Sequence, residues 1–255
     1  MMRVRGLHPE WFCNAARLQG KLDDFGMSSR VFDKQPMREL DRVIVPEILD
    51  SLDPTDARAI RSRRDLRLID FFLGNSRWIV SQLQKQDPVP AGIFEIGAGE
   101  GALCRKINAS IPASSVTGLD LIGRPANLPS AIGWISGDFF DTLSATSAEA
   151  CVGSLILHHF SDRSLRELGA RMQSFRCMAF CEPLRGRAPL VLSSLSSLCI
   201  GEVTRHDMPV SIRAGFRRGE LPALLGLDSS VWKIIESSHW RGSLRLLTRV
   251  PQFGL

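Results

Sequence analysis

The segment Ile93-Phe94-Glu95-Ile96-Gly97-Ala98-Gly99-Glu100-Gly101 constrains this chain more than any other stretch. A short apolar run passes into three alternating glycines, and a helical run, Ala102 to Ile107, begins at once. Glycine at the end of a strand permits a tight turn. A second glycine lets a ligand approach the backbone with no Cβ in the way. The helix that follows presents unpaired N–H groups to a carboxylate or a nucleotide. Asp120 follows Gly97 by 23 residues, at the end of the next apolar run, where a carboxylate can hold both ribose hydroxyls of an adenosine. Gly137-Asp138 closes the third run, where an adenine amine needs an acceptor. The bland alternative is a plain strand–helix turn with acids at the surface. The ordered series Glu95, GxGxG, Asp120, Asp138 argues against it.

Beyond the Asp87-Pro88-Val89-Pro90 break, short β-type runs alternate with helical ones. Strands are expected at 92–97, 115–121, 132–137, 150–157, 177–182, 231–238 and 243–249, and helices at 101–109, 162–173 and 217–225. Strands separated by helices imply an α/β fold, a mostly parallel sheet with helices on both faces. Only His239-Trp240-Arg241-Gly242 separates the last two strands, too little for a crossover helix. They are expected to form a C-terminal antiparallel hairpin. The predicted organisation is an N-terminal extension over 1–40, a helical cap over 41–88 and a ligand-binding domain over 89–255. The cap is expected to start a helix at Asp53-Pro54-Thr55-Asp56. Ile60, Leu66, Ile69 and Leu73 would form its apolar stripe, and Arg58, Arg61, Arg63 and Arg64 its basic face. A short helix is expected over Pro9–Leu22.

The glycine segment resembles motif I of the class I S-adenosylmethionine-dependent methyltransferases, and Asp120 and Asp138 match that family's next two acidic positions. The resemblance covers residues 90–250. It implies a Rossmann-like seven-stranded fold, S-adenosyl-L-methionine as cofactor, and methyl transfer to a small-molecule hydroxyl, carbon or amine. It further implies that Glu95 and the glycines Gly97, Gly99 and Gly101 contact the methionine part. Asp120 would take the ribose, Asp138 and Phe139 would border the adenine, and Ala98, Leu121 and Leu155 would complete the cofactor set. The stretch Ser154 to Asp162, with Leu157-His158-His159-Phe160, is similar to one common in small-molecule, lipid and quinone methyltransferases. The segment Thr204 to Arg213 and the stretch Ser62 to Arg67 resemble an uncharacterised bacterial subgroup of the family.

His158, Glu182 and Arg205 are candidate substrate contacts, and His206 and His159 candidate catalytic groups. An imidazole with a pKa of about 6.5 suits removal of a hydroxyl proton at neutral pH. If residues 204–213 were extended, Asp207 beside His206 would point to the opposite face and need not orient it. Asp162 is expected to cap the helix that follows it. No metal site is expected, because the six cysteines lack a CxxC pair and further ligands at zinc-like spacing. Cys177 and Cys181 are expected to be buried on one strand face. Scattered thiols fit a reducing cytoplasm.

Charge and composition exclude little. The chain carries 32 Lys+Arg against 27 Asp+Glu, a formal +5, and a surface arginine stretch could grip phosphates. Against a nucleic-acid acceptor, the 255 residues contain no tyrosine, so the Asn/Asp-Pro-Pro-Tyr motif of base amino methylation is not present. RNA methylation and a non-catalytic adenosylmethionine-binding module stand as alternatives. An NAD-dependent oxidoreductase is disfavoured by the GxGxG spacing and the terminal hairpin. The run Leu190 to Ile200 is too short for a membrane span and is expected to be a buried or cleft-lining helix. The N-terminus lacks a signal-peptide pattern. Oligomeric state is not legible.

Overall fold

The computed structural model describes residues 40–142, 146–196 and 200–251. The expected helix over Pro9–Leu22, together with Cys13 and Cys199, lies outside them. Three helices come first: α1 (Ile48–Ser51), α2 (Ala57–Leu73) and α3 (Asn75–Gln84). The alternating region follows as β1 (Gly92–Ile96), α4 (Ala102–Ser110), β2 (Ser115–Asp120), β3 (Ile132–Ser136), α5 (Phe139–Thr142) and β4 (Ala150–Ser154). It continues as α6 (Asp162–Arg171), β5 (Cys177–Pro183), α7 (Arg187–Ser196), α8 (Glu202–Ala214) and α9 (Glu220–Leu224), and ends in β6 (Lys233–His239) and β7 (Ser243–Arg249).

The seven strands form one sheet in the order β3-β2-β1-β4-β5-β7-β6. The first five are parallel, while β7 runs antiparallel between β5 and β6. This is the expected mixed sheet with its terminal hairpin. The chain winds outward from β1 to β3 and then returns to place β4 on the other side of β1. A crevice opens at the carboxyl ends of the strands where that reversal occurs, and open α/β sheets bind ligands there.

Alternation along the strands sends side chains into two layers. Phe94 and Ile96 face a core with Leu165 and Leu168 of α6, Phe180 of β5 and Trp232. Ile93 faces the opposite core, with Ile79 and Leu83 of α3 and Leu103 and Ile107 of α4. Cys177 and Cys181 are both buried free thiols in that second layer, as their period-2 spacing requires.

Four local readings of the sequence are corrected. The cap of α2 is Asp56, whose side chain accepts from the Arg58 N–H, while Asp53 instead closes a turn through the N–H and hydroxyl of Thr55. The cap of α6 is Ser161, accepting from the Ser164 N–H at 3.1 Å; Asp162 sits in the first turn and pairs with Arg42 at 2.6 Å. The apolar stripe of α2 does not face inward, since Ile60 is 53% exposed and the buried positions are Ala59, Ser62 and Asp65. The helix α7 likewise turns Val191 and Leu195 to solvent and buries Pro189 and Ser193. No helix among the described residues is long and apolar enough to cross a membrane.

The inward face of α2 is polar because its partner supplies donors. The Asp65 carboxylate accepts from the Gly201 N–H at 2.7 Å and from the Thr204 hydroxyl at 3.1 Å, and that hydroxyl also meets Ser62 at 3.0 Å. These buried bonds tie α2 to the start of α8. Removing the carboxylate leaves a buried N–H unsatisfied, a loss of about 1–3 kcal/mol. Asp65→Ala is therefore expected to lower the unfolding free energy from urea titration by that amount, whereas Ile60→Ala on the exposed face leaves it within about 0.5 kcal/mol.

Candidate active site

The glycine loop connects β1 to α4 in left-handed steps: Gly97, Gly99 and Gly101 have φ of 64°, 53° and 71°. A Cβ on Gly97 would sit 2.5 Å from the Ile156 side chain, so this position is closed by packing as well as by backbone geometry. Nothing lies within 4 Å of a Cβ built on Gly99, so its outer face is open. Asp120, at the carboxyl end of β2, accepts from the Gly99 N–H at 2.7 Å and the Ile122 N–H at 3.1 Å. Its carboxylate is partly exposed and keeps acceptor capacity for a diol. Leu121 beside it is 78% exposed. Asp138 accepts from the Phe140 N–H at 2.8 Å, and Phe139 is buried in an aromatic group with Phe140 and Phe160.

Glu95 lies beneath the loop, buried against Cys104 of α4, and its Oε2 has no hydrogen-bond partner. Burial pushes its pKa up to about 8, against a smaller opposing pull from hydrogen bonds with Cys104. A buried acceptor without a donor, next to an open glycine and a carboxylate with spare acceptor capacity, fits the amino-acid end of an adenosyl amino acid such as S-adenosylmethionine.

The second half of the site forms where β4 ends. The expected strand 150–157 stops at Ser154, and Leu155 takes a left-handed φ of 58°, a strained conformation for a branched side chain. Its N–H donates to the Cys181 carbonyl at 2.8 Å, and a single 3-10 turn, Leu157–His159, follows. Glu182 on β5 organises that turn. Its Oε1 accepts from the Ile156 and Leu157 N–H groups at 3.1 and 2.9 Å, and its Oε2 from the His158 N–H at 3.2 Å. The same Oε2 lies 2.8 Å from His158 Nδ1. Both side chains are buried. Glu182 and His158 thus anchor the turn from its buried side.

The cap completes this region with residues that the sequence reading did not single out. Glu47, just before α1, stands 3.5 Å from His158 Nε2 and accepts from the Ser211 hydroxyl of α8. Burial alone would lower the His158 pKa, but hydrogen bonds from Glu182 and Glu47 outweigh it and raise the value to about 9. Burial would raise Glu47, yet His158 and His159 hold it below the ordinary carboxylate range. His159 is partly exposed, with Nδ1 at 3.7 Å from Asp50. Burial and then the His158 charge lower its pKa. Arg42 donates to the carbonyls of His158, Phe160 and Ala214 at 3.2, 2.8 and 2.8 Å and stacks over Phe216. The only sequence hint for Glu47 is an acid set among Val43, Ile44, Val45 and Ile48.

The 204–213 segment is helical, lying within α8 despite Pro209, and this changes the geometry expected for His206. Asp207 is buried and does reach the His206 ring, 2.9 Å from Nδ1, while it accepts from the Ile48 and Leu49 N–H groups at 2.9 and 3.0 Å. One carboxylate therefore caps α1 and orients an imidazole whose side chain is about half exposed (52%). Arg205, one step earlier, borders a cleft of about 330 Å³ between α2 and α8 with Arg58, Arg61 and Glu202. None of the glycine-loop or β4-turn residues lines it, which separates Arg205 from the remaining candidates.

The strand order and terminal hairpin define the class I methyltransferase fold, and comparison with known proteins agrees. No family model matches the chain, and no curated protein is significantly similar in sequence. Among solved structures, the plantazolicin methyltransferase BpumL in complex with a monoazolic desmethylPZN analog and SAH superposes with a TM-score of 0.62. It shares 14% identity over 78% of this chain and 91% of that one. The plantazolicin methyltransferase BamL gives a TM-score of 0.64 at 10% identity, over 79% and 92% of the two chains. Human N-acetylserotonin methyltransferase, in complex with SAM, gives 0.55 at 18% identity, over 80% and 61%.

Glu95 has a sign that can be measured. Its proton is held up to about pH 8 in the folded chain but is lost near 4.5 when unfolded. Between those values the unfolded state binds fewer protons, so this group's contribution, complete below pH 4.5, drains away as pH rises through 8. The slope is up to about 1.4 kcal/mol per pH unit. Glu95→Gln removes it, so the Tm of the variant should gain steadily on wild type from pH 5 to pH 8. A constant difference rejects a buried neutral acid.

Proposed function

We propose that this chain transfers a methyl group from S-adenosylmethionine to a small-molecule acceptor. The observation that carries the reading is the glycine loop as built: three left-handed glycines with an open face at Gly99, Asp120 clamped to the Gly99 N–H, and the unpartnered Oε2 of Glu95 below. Its support is the sheet order, and the presence of SAM or SAH in solved structures of the same fold.

When bound, the cofactor supplies a methyl group on a sulfonium, already attached to a good leaving group. The chain's residues then bind and align. Gly97, Ala98, Gly99, Gly101 and Glu95 would hold the methionine part, Asp120 and Leu121 the ribose, Asp138 and Phe139 the adenine side, with Leu155 at the end of β4. Alignment and exclusion of water supply most of the acceleration for in-line displacement. A hydroxyl acceptor must also lose a proton. His206 on α8, oriented by Asp207, and His159 in the β4 turn both have exposed edges. The acceptor would enter beneath the cap, where α1 and α8 meet that turn. By the same fold and the plain thiol chemistry of its buried cysteines, the protein is read as a cytoplasmic enzyme.

Calorimetry should show S-adenosylhomocysteine binding in the micromolar range, and Asp120→Ala should weaken it at least tenfold. Preferential binding of NAD would sink the assignment. With an acceptor found by screening metabolites against radiolabelled cofactor, His206→Ala is expected to lower turnover by about 10²–10⁴-fold while leaving homocysteine-cofactor affinity intact. An unchanged rate rejects His206 as the proton acceptor.

A further inference from the structure

We propose that Glu47, His158 and His159 form a binding site for one divalent transition-metal ion, of the zinc or cobalt class, at the end of β4. One ligand atom from each residue lies within 4.8 Å of the others. His158 Nε2 and Glu47 Oε1 stand 3.5 Å apart. A charge-assisted N–H···O bond is shorter, about 2.7–2.9 Å. Two ligands each about 2.0–2.1 Å from one tetrahedral ion lie about 3.3 Å apart, and the observed spacing fits that.

The surroundings supply what a metal ligand needs. Glu182 accepts from His158 Nδ1 at 2.8 Å and is itself fixed by three backbone N–H groups, so the ring's orientation and tautomer are set. Nε2 is thereby aimed at the Glu47 carboxylate, and a metal ion would take the place of the proton held between them. Such a carboxylate–histidine–metal arrangement is the usual support of a bound ion. Asp50 stands 3.7 Å from His159 Nδ1, beside the group, and water would complete the coordination shell. Two imidazoles and carboxylates favour zinc, cobalt or iron over magnesium or calcium. The ligands come from Glu47 in the cap and His158–His159 in the sheet, more than a hundred residues apart, so no local spacing could reveal them.

The role of the ion rests on the methyl-transfer reading. A bound cation would take an acceptor oxygen, lower the pKa of its hydroxyl and leave the proton to His206. Binding of the ion does not depend on that reading.

The test uses the full-length, tag-free protein stripped with a chelator and titrated with Co²⁺. One equivalent should produce the visible bands of a four- or five-coordinate nitrogen–oxygen site, and Zn²⁺ should abolish them. Glu47→Gln and His159→Ala should each weaken binding at least tenfold, while His239→Ala on the terminal hairpin keeps it. His158→Ala is judged only if its circular dichroism is unchanged. Absence of the bands, or bands that persist in both Glu47→Gln and His159→Ala, overturns the site in favour of a shared proton. S-adenosylhomocysteine calorimetry on the same stripped protein reads the cofactor assignment separately.

Discussion

The turn that ends β4, at the ligand edge of this sheet, hangs on one buried carboxylate. Glu182 is fully enclosed, and its two oxygens accept from three successive backbone N–H groups and from an imidazole. A carboxylate in such surroundings is stable only if it is saturated with donors, and the β4 turn is folded so as to supply them. That demand accounts for the early stop of β4, the left-handed Leu155 and the inward ring of His158. Remove the carboxylate and three N–H groups lose their acceptor together. The strained Leu155 would then be held only by its bond to the Cys181 carbonyl.

The same turn joins the sheet to the cap. Arg42 gathers three carbonyls, two from the β4 turn and one from the end of α8, and Glu47 and Asp207 each serve two elements at once. Cap and sheet therefore meet through charged groups, whereas α3 meets the sheet through aliphatic packing of Ile79 and Leu83. The contrast is chemical. A polar meeting surface leaves charged and titratable groups around the place where an acceptor would be methylated, and an apolar one could not.

The sheet was legible because period-2 runs and glycines act locally. The loop at 93–101, Asp120, the alternation of elements and the terminal hairpin all follow from neighbours in sequence. The failures share a different cause. Asp162 reads as a cap until Arg42, 120 residues away, claims it. Ile60 and Leu66 read as an inward stripe because a helix's apolar face is normally buried, yet Asp65 finds its partners on a helix 136 residues later. His206 and Asp207 were judged as extended neighbours, although the segment is a helix whose carboxylate curls back to the ring. Glu47 and Arg42 had no local pattern to announce them. Long-range polar pairing leaves no period in a sequence.

The helix break at Gly74, with its φ of 69°, divides the cap into two parts with different attachments. On one side α3 is fastened by apolar side chains, which water cannot replace. On the other, α2 is fastened to α8 by Asp65, Ser62 and Thr204, groups that water can satisfy nearly as well once they are parted. The two attachments therefore answer differently to water: the groups that join α2 to α8 can be solvated one by one, whereas the aliphatic side chains of α3 hold only as a packed layer.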